Sequence, residues 1–270
     1  MRRGVKGGTM VQSVARAIEI LRVLGTAARG AGVTEVAERI GVAKPTAHAL
    51  LRTLEAGQLV AQDSETGKYR LGPALLELGN AYLETHELRV RSVAWADGLA
   101  TRANEAVWVG VLSADHVLVV HHAFRPEGAV QILEVGAVIP WHTCALGKAI
   151  VAHLPEADRA ALLRGPLAAL TGATRTEPSA LVQDLEGVRA TGYAVEDGEA
   201  AIGDAGIAAP VFDHTGEVVG AIGAIGPVER LLDEQTRDGL AVAVRETARH
   251  LSRDLGAGRP ATRRWVAAAS

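Results

Sequence analysis

The apolar and polar positions after Val33 recur with two different periods. As far as Gly57 they follow the three- and four-residue spacing of helices. The first helix is predicted over 34–40 and ends at Gly41, and the second opens at Pro45, where a missing N–H costs little. The second helix carries its apolar residues on one face: Ala47, Leu50, Leu51 and Leu54.

From Leu59 the period changes to that of strands. The runs 59–62 and 68–71 read as two strands joined by the polar turn 63–67. Helix, tight turn, helix and β-hairpin, in that order, indicate a winged helix-turn-helix. The second helix of such a unit normally enters the major groove of DNA.

The polar face of this second helix carries groups that suit DNA. Lys and Arg pair with phosphates and guanine edges, and Thr meets a phosphate or a thymine methyl. Any amphipathic helix has a solvated face, so the helix alone leaves both interpretations open. The basic wing and the scarcity of acids favour DNA, because Glu55 is the only acid from 41 to 56. The candidate DNA contacts are Lys44, Thr46, His48 and Arg52 on the helix and Lys68 and Arg70 on the wing.

The rest of the pattern predicts a helix over 13–28, a connecting helix over 74–86, and an α/β region from Arg89. In that region we predict helices over 90–104, 145–154, 155–163, 178–191 and 228–254, and strands over 107–112, 117–123, 130–135, 193–196, 205–213 and 218–225. Strands, then helices, then strands indicate an α+β fold with a mixed sheet flanked by helices. The predicted segments are a disordered arm 1–9, a winged helix-turn-helix domain 10–73, a linker helix 74–87, a second domain 88–255 and a disordered tail 256–270.

Charge and cysteine content narrow the partners and the compartment. Residues 1–72 hold 11 Lys and Arg against six Asp and Glu, whereas residues 73–270 hold 17 against 25. A basic first quarter on an acidic remainder fits a DNA-binding domain joined to a domain with another task. The single cysteine excludes an internal disulfide, and no apolar run is long enough for a membrane span. We therefore expect a cytoplasmic protein with no membrane partner.

Several residues of the second domain invite a metal or catalytic interpretation. The candidates are His116, His121, His122, His142 and Cys144. Imidazole and thiolate bind zinc, but these spacings match no tight motif. Cys144 and His142 stand two apart in a loop with no oxyanion motif. We predict no catalytic residue, no metal and no cofactor. The alternative is an enzyme with a helix-turn-helix-like appendage that uses Cys144 or Glu196.

Short phrases in this order resemble the IclR family of bacterial transcription regulators. They are SVARA at 13–17, AKPTAH at 43–48, YRLG at 69–72, LGKA at 146–149, RATGYA at 189–194 and GP at 226–227. The resemblance implies a dimer or tetramer that binds double-stranded operator DNA. It also implies a GAF-like second domain that binds a small-molecule effector and assembles the oligomer.

The resemblance further implies where the effector binds: between the loop before the helix of Lys148, the strand after Tyr193 and the last hairpin. Carried over residue by residue, the pocket comprises Ala145 and Leu146 through their backbone N–H groups, Glu196, Gly206, Gly223 and Ile225, with His142 and Cys144 in the adjoining loop. This chain has Gly206, Gly223 and Ile225 where well-known members carry Cys or Ser. We expect the two glycines to leave space for the ligand.

Three further phrases resemble the members of the family that regulate glycerol operons: YLETHELR at 82–89, HHAFRP at 121–126 and RDLGAGR at 253–259. They imply a repressor of a catabolic operon for glycerol, with glycerol or glycerol 3-phosphate as effector. A carboxylate at Glu196 suits a neutral polyol better than an anion.

Overall fold

Helices and one short hairpin build the first of two units. The computed structural model describes residues 10–128 and 132–258, and the chain divides between Thr85 and His86. The elements of the first unit are α1 (Gln12–Thr26), α2 (Val33–Arg39), α3 (Lys44–Ala56), β1 (Val60–Gln62), β2 (Tyr69–Leu71) and α4 (Ala74–Thr85). The two strands pair antiparallel, so the order of the described elements is that of a winged helix-turn-helix.

The core of the first unit fixes which face of α3 is free. Leu51 and Leu54 are buried, and Leu50 is only partly buried. They pack against residues from both earlier helices and from both strands: Ile20, Leu24, Val36, Val60 and Tyr69. Gly41 makes the turn between α2 and α3 with a φ of +66°, a conformation that strains any residue with a Cβ.

The helix α4 buries none of its own residues. Its Leu76 and Leu78 side chains are 69% and 61% exposed. The predicted linker helix 74–87 ends earlier, at Thr85, because the next helix begins with its own cap. The ring Nδ1 of His86 accepts the N–H of Arg89 at 3.5 Å.

The second unit contains a six-stranded sheet with helices on both faces. Its elements are α5 (Glu87–Ala103), β3 (Ala106–Ser113), β4 (His116–Ala123), β5 (Val138–Pro140), a 3-10 turn (Trp141–Thr143), α6 (Ala145–Val151), α7 (Glu156–Leu163), α8 (Pro178–Thr191), β6 (Ala194–Asp197), β7 (Asp204–Phe212), β8 (Val218–Pro227), α9 (Val228–Leu231) and α10 (Arg237–Asp254).

The strand order across this sheet is β5-β4-β3-β8-β7-β6, and every pairing in it is antiparallel. The expected mixed sheet is therefore wrong: the helical segments between β5 and β6 join opposite edges and create no parallel neighbours. The atoms that a Cβ added at a strand glycine would meet show which helix covers that face of the sheet. A Cβ at Gly206 would meet Ala145 of α6, and a Cβ at Gly220 would meet Leu88 of α5. The helices α6 and α5 thus cover opposite faces.

The strand predicted over 130–135 is wrong in its described part, because 132–135 form no strand. The N–H of Glu134 donates to Nδ1 of His122 at 3.1 Å instead of to a strand partner. The strand that pairs with β4 is β5, after a turn in which Gly136 has a φ of +93°.

The single helix predicted over 228–254 is two helices. Asp233 accepts the N–H of Gln235, and Thr236 donates its hydroxyl to the carbonyl of Arg230, so side chains satisfy the groups of an interrupted helix. The first piece is also held to the sheet, because Arg230 forms a two-pronged ion pair with Glu105 at 2.6 and 2.8 Å. The arm predicted for 1–9 and the tail from 259 onward lie outside the described residues.

Candidate DNA-binding helix and effector site

The outer face of α3 presents all four residues predicted to contact DNA. Lys44, Thr46, His48 and Arg52 are exposed. Of these four, Arg52 alone forms an ion pair with another described residue, since its guanidinium lies 3.4 Å from the carboxylate of Glu55. This pair is exposed, so water already weakens it and little free energy is lost when it breaks.

The wing presents Lys68 and Arg70, and a hydrogen bond within the wing fixes the side chain of Arg70. Arg70 donates to the carboxylate of Asp63 at 2.9 Å. The same carboxylate accepts the N–H groups of Thr66 and Glu65, and the Thr66 bond is the main cause of its lowered pKa. The sequence predictions missed Asp63, which organises the turn and offsets the charge of Arg70.

Four of the eight predicted effector residues meet at one point. Glu196, Gly206 and Ile225 stand directly opposite one another on three neighbouring strands. A Cβ at Gly206 would lie 3.0 Å from Cδ1 of Ile225, 3.2 Å from Cβ of Ala145 and 3.5 Å from Oε2 of Glu196. The start of α6 therefore covers this row of the sheet.

The expectation that Gly206 and Gly223 leave space is wrong for Gly223 and limited for Gly206. Gly223 stands opposite Ala208, two residues further along the strands, and a Cβ there would lie 2.6 Å from both the Ala208 Cβ and the Ile207 carbonyl oxygen. The neighbouring strand has closed on the glycine, so its missing side chain leaves no pocket. The side chain of Leu146 is fully buried and lies near Gly110 on β3.

The two predicted effector residues of the loop before α6, His142 and Cys144, are buried and electrically neutral. His142 lies 1% exposed with Nε2 3.1 Å from the carbonyl of Ala168, and burial lowers its pKa. Burial raises the pKa of Cys144 to about 12, so its thiol stays protonated. A protonated thiol is a poor nucleophile. Within the described residues no group of three or more His, Cys, Asp or Glu is placed to hold a metal ion.

Glu196 is the chemically distinctive group of the site. It is 4% exposed, and its Oε1 accepts the N–H of Glu199 at 2.7 Å and of Ala200 at 3.3 Å. Burial outweighs these bonds and raises the pKa of Glu196 to about 7. Near neutral pH the carboxyl group therefore exists in both forms, one a donor and the other only an acceptor.

The sequence predictions missed a buried ion network beside Glu196. Nζ of Lys148, 2% exposed, lies 2.5 Å from Oε1 of Glu199 and 3.4 Å from Oδ2 of Asp184. Asp184 also accepts from Arg175 at 2.8 Å. The signal was available, because Lys148 is the only charged residue in the apolar helix α6. Both cations are thus engaged by Asp184 and Glu199, and Glu196 makes no ion pair with any residue the structure describes.

Among the described residues, no helix is both long and apolar enough to span a bilayer.

Comparisons with known proteins match both units in order. A family model described as the IclR helix-turn-helix domain matches residues 13–64, and one described as bacterial transcriptional regulator IclR C-terminal matches residues 80–253. The chain is 47% identical over 250 residues to the glycerol operon regulatory protein of Streptomyces griseus and 46% identical to that of Streptomyces coelicolor. Each alignment covers 92% of this chain and 98% of the relative.

A solved structure agrees with these sequence matches. The IclR transcriptional regulator of Alicyclobacillus acidocaldarius is 30% identical, with a TM-score of 0.78 and coverage of 91% of this chain and 99% of that chain. The enzyme alternative is wrong, because the matched families and relatives are regulators. The chain belongs to the IclR family and is a transcriptional regulator that binds DNA through its helix-turn-helix domain.

Proposed function

We propose that this regulator is a cytoplasmic repressor of a glycerol catabolic operon, released from its operator by a small polyol. The relatives at 46 and 47% identity are named as glycerol operon regulatory proteins, which supports the choice of operon. The candidate operator contacts are Lys44, Thr46, His48 and Arg52 on α3, with Lys68 and Arg70 on the wing.

The observation that carries the effector proposal is Glu196. Its Oε2 lies beside Gly206, which Ile225 and Ala145 also approach, while its Oε1 is held by backbone N–H groups. A buried carboxyl group with one fixed oxygen and one oriented toward Gly206 suits a ligand that offers hydroxyl groups. Glycerol meets that need without adding charge, whereas a phosphate would repel the ionised form.

The site is compact as described, so a ligand needs a small displacement of its cover. The loop 165–177 lies against both sides of the site. The carbonyl of its Ala168 accepts from the Nε2–H of His142 at 3.1 Å, and its Thr171 and Thr174 hydroxyls donate to the carbonyls of Gly198 and Glu199 at 2.6 and 2.7 Å. We infer that entry of the polyol loosens these few bonds.

Calorimetry on the full chain with glycerol and with glycerol 3-phosphate tests the proposal. We expect glycerol to bind and Glu196→Gln to change its affinity little, because the amide NH2 that replaces Oε2 donates to a glycerol hydroxyl, which accepts as well as donates a hydrogen bond. If glycerol 3-phosphate binds in this site, Glu196→Gln should strengthen its binding, since a like-charge repulsion disappears. The matched control is the exposed neighbour Asp197→Asn.

A mobility-shift measurement on operator DNA adds the functional readout. A ligand that releases the repressor should weaken operator binding by a coupling of roughly 1–3 kcal/mol. No heat and no change in operator affinity with either compound at millimolar concentration would exclude the polyol effector, while leaving the assignment as a regulator intact.

A further inference from the structure

The second unit contains a cleft at the end of β7, where this strand extends beyond its neighbour β6. β6 pairs with residues 205–208 of β7, so 209–212 have no strand beside them on that side among the described residues. The cleft encloses about 430 Å³, within the range of small-molecule sites. Its floor is Ala209, Pro210 and Phe212, and its walls include α10, His153 beyond α6, and Gly192 beyond α8.

Three arginines of α10 form one wall of this cleft: Arg245, Arg249 and Arg253. They stand four residues apart, so they share a helix face in a row of about 12 Å. None of the three side chains forms an ion pair or a hydrogen bond with any residue that the structure describes, and no Asp or Glu is among the described residues that line the cleft.

The three acids of the same helix, Asp238, Glu246 and Asp254, are not among the residues that line the cleft. Asp254 accepts the indole N–H of Trp95 at 2.7 Å, and Glu246 lines a different cleft together with Arg102. Neighbouring guanidinium groups repel one another unless a counter-charge is near. The row is also unusual for its surroundings, since residues 73–270 carry more acids than bases.

The rest of the cleft complements the arginines with an apolar surface. The rings of His153 and Phe212 meet edge to face at 5.2 Å, and His153 is oriented by a bond between its Nδ1 and the carbonyl of Ala149. The N–H of Phe212 is satisfied by the hydroxyl of Ser252. The floor is therefore apolar, and the backbone N–H of Phe212 already has a partner within the protein. The positive charge of the cleft comes from the arginine wall alone among the described lining residues.

We propose that this cleft binds a small organic oxyanion, a metabolite with a phosphate or carboxylate group on a short carbon skeleton. Guanidinium forks bond two oxygens of either group, and the floor packs against the carbon skeleton. None of the cleft residues belongs to the Glu196 site. The cleft thus supplies the free cations that the Glu196 site lacks, and an anionic signal would bind here without displacing a neutral one there.

Thermal-shift and calorimetric titrations of the full chain test this site with sodium phosphate, citrate and glycerol 3-phosphate. Sodium chloride at matched ionic strength is the reference. We expect stabilisation by at least one of the three anions beyond the chloride reference. The variant Arg249→Gln/Arg253→Gln should weaken that binding about tenfold or more, because two charge-assisted hydrogen bonds are lost. Comparing the three anions identifies phosphate or carboxylate as the preferred group.

The matched control is Arg91→Gln/Arg164→Gln, which removes the same charge from two exposed arginines outside the cleft. It should bind the anion as the unaltered chain does. The proposal is overturned if no anion exceeds the chloride reference, or if both double variants lose binding equally. It is also overturned if the cleft variant keeps anion binding and loses operator affinity instead, since the arginines would then be a DNA contact.

Discussion

Glu196 links the chemistry of the proposed effector site to the stability of the second unit. Burial raises its pKa to about 7 in the folded chain, against 4.5 as the usual value for glutamate. The folded state therefore holds this proton more tightly than the unfolded state does. The resulting stabilisation is fully present below the unfolded pKa and is lost as pH rises through the folded pKa.

We expect Glu196→Gln to remove this dependence and to stabilise the second unit above pH 8 by up to about 3 kcal/mol. The amide oxygen of Gln keeps the bonds from the Glu199 and Ala200 N–H groups. Urea unfolding of the variant and the unaltered chain between pH 5 and pH 8.5 measures the difference. Asp197→Asn, the exposed control, should leave the profile unchanged. Parallel profiles for Glu196→Gln and the unaltered chain would contradict the expectation.

Lys44 and Arg52 provide the corresponding prediction for the DNA-binding domain. Each is exposed on α3, so alanine should leave the fold intact. Loss of a base contact should cost about 1–3 kcal/mol of operator affinity, and loss of a phosphate contact should flatten the salt dependence by about one unit. Operator titrations at several salt concentrations measure both effects. Arg91→Ala, in the second unit, is the charge-matched control, and unchanged affinity and slope in Lys44→Ala and Arg52→Ala would remove α3 from the interface.

At the scale of elements, the approach of α6 to the preceding 3-10 turn depends on Gly147. A Cβ at this position would lie 2.1 Å from the carbonyl oxygen of Trp141 and 2.6 Å from its Cα. Gly147→Ala should therefore push the helix off the turn and destabilise the second unit by about 1–3 kcal/mol or more. Thermal unfolding measures the loss.

Gly187 in α8 is the matched control for that substitution, because a Cβ there meets nothing within 4 Å. Gly187→Ala should be neutral or should stabilise by up to about 1 kcal/mol, since alanine is the better helix former. Equal effects of the two substitutions would show that close packing at Gly147 is not the cause.

Apolar periodicity explains why the sequence predicts most helices and strands of both units to within a few residues. It fails at the strand predicted over 130–135, whose described part forms no strand, and at the break over 232–236. The apolar spacing continues from α9 into α10, so periodicity alone cannot detect the break. The break comes from side-chain bonds of Asp233 and Thr236 and from the ion pair of Arg230 with Glu105, a residue far away in sequence.

The candidate site shows the same division between local and distant information. Residues near Glu196 in space come from α6, β7 and β8, and only the family resemblance collected them. The partner of Lys148 is 51 residues away, so the network with Glu199 is a tertiary fact. The missing side chain of Gly223 was expected to leave space for a ligand, but strand β7 fills that space. The distance between two packed strands cannot be predicted from a local sequence pattern.

At the scale of the molecule, a palindromic operator needs two helix-turn-helix domains, one for each half-site. The half-sites lie about one helical turn of DNA apart, or a multiple of that. We predict self-association through the second unit and α4, whose Leu76 and Leu78 are exposed. Sedimentation at micromolar concentration should show a dimer or tetramer. Leu76→Glu/Leu78→Glu should lower the association state and weaken binding to the full palindrome more than to a half-site.

The control for this substitution pair is Glu77→Gln, which alters the position between the two exposed leucines without adding charge. It should sediment as the unaltered chain does. A monomer for the unaltered chain under these conditions would be incompatible with assembly through this helix.

The single cysteine of the chain lies directly before the first residue of α6, 5% exposed and with a pKa near 12. A thiol-specific dye reacts only with an accessible thiolate. The rate of dye incorporation under native conditions therefore measures how often Cys144 becomes accessible. The measurement needs no engineered cysteine. We expect labelling to be slow in buffer, immediate in urea, and faster with glycerol present, because entry of the polyol loosens the bond between His142 and Ala168, two residues before Cys144.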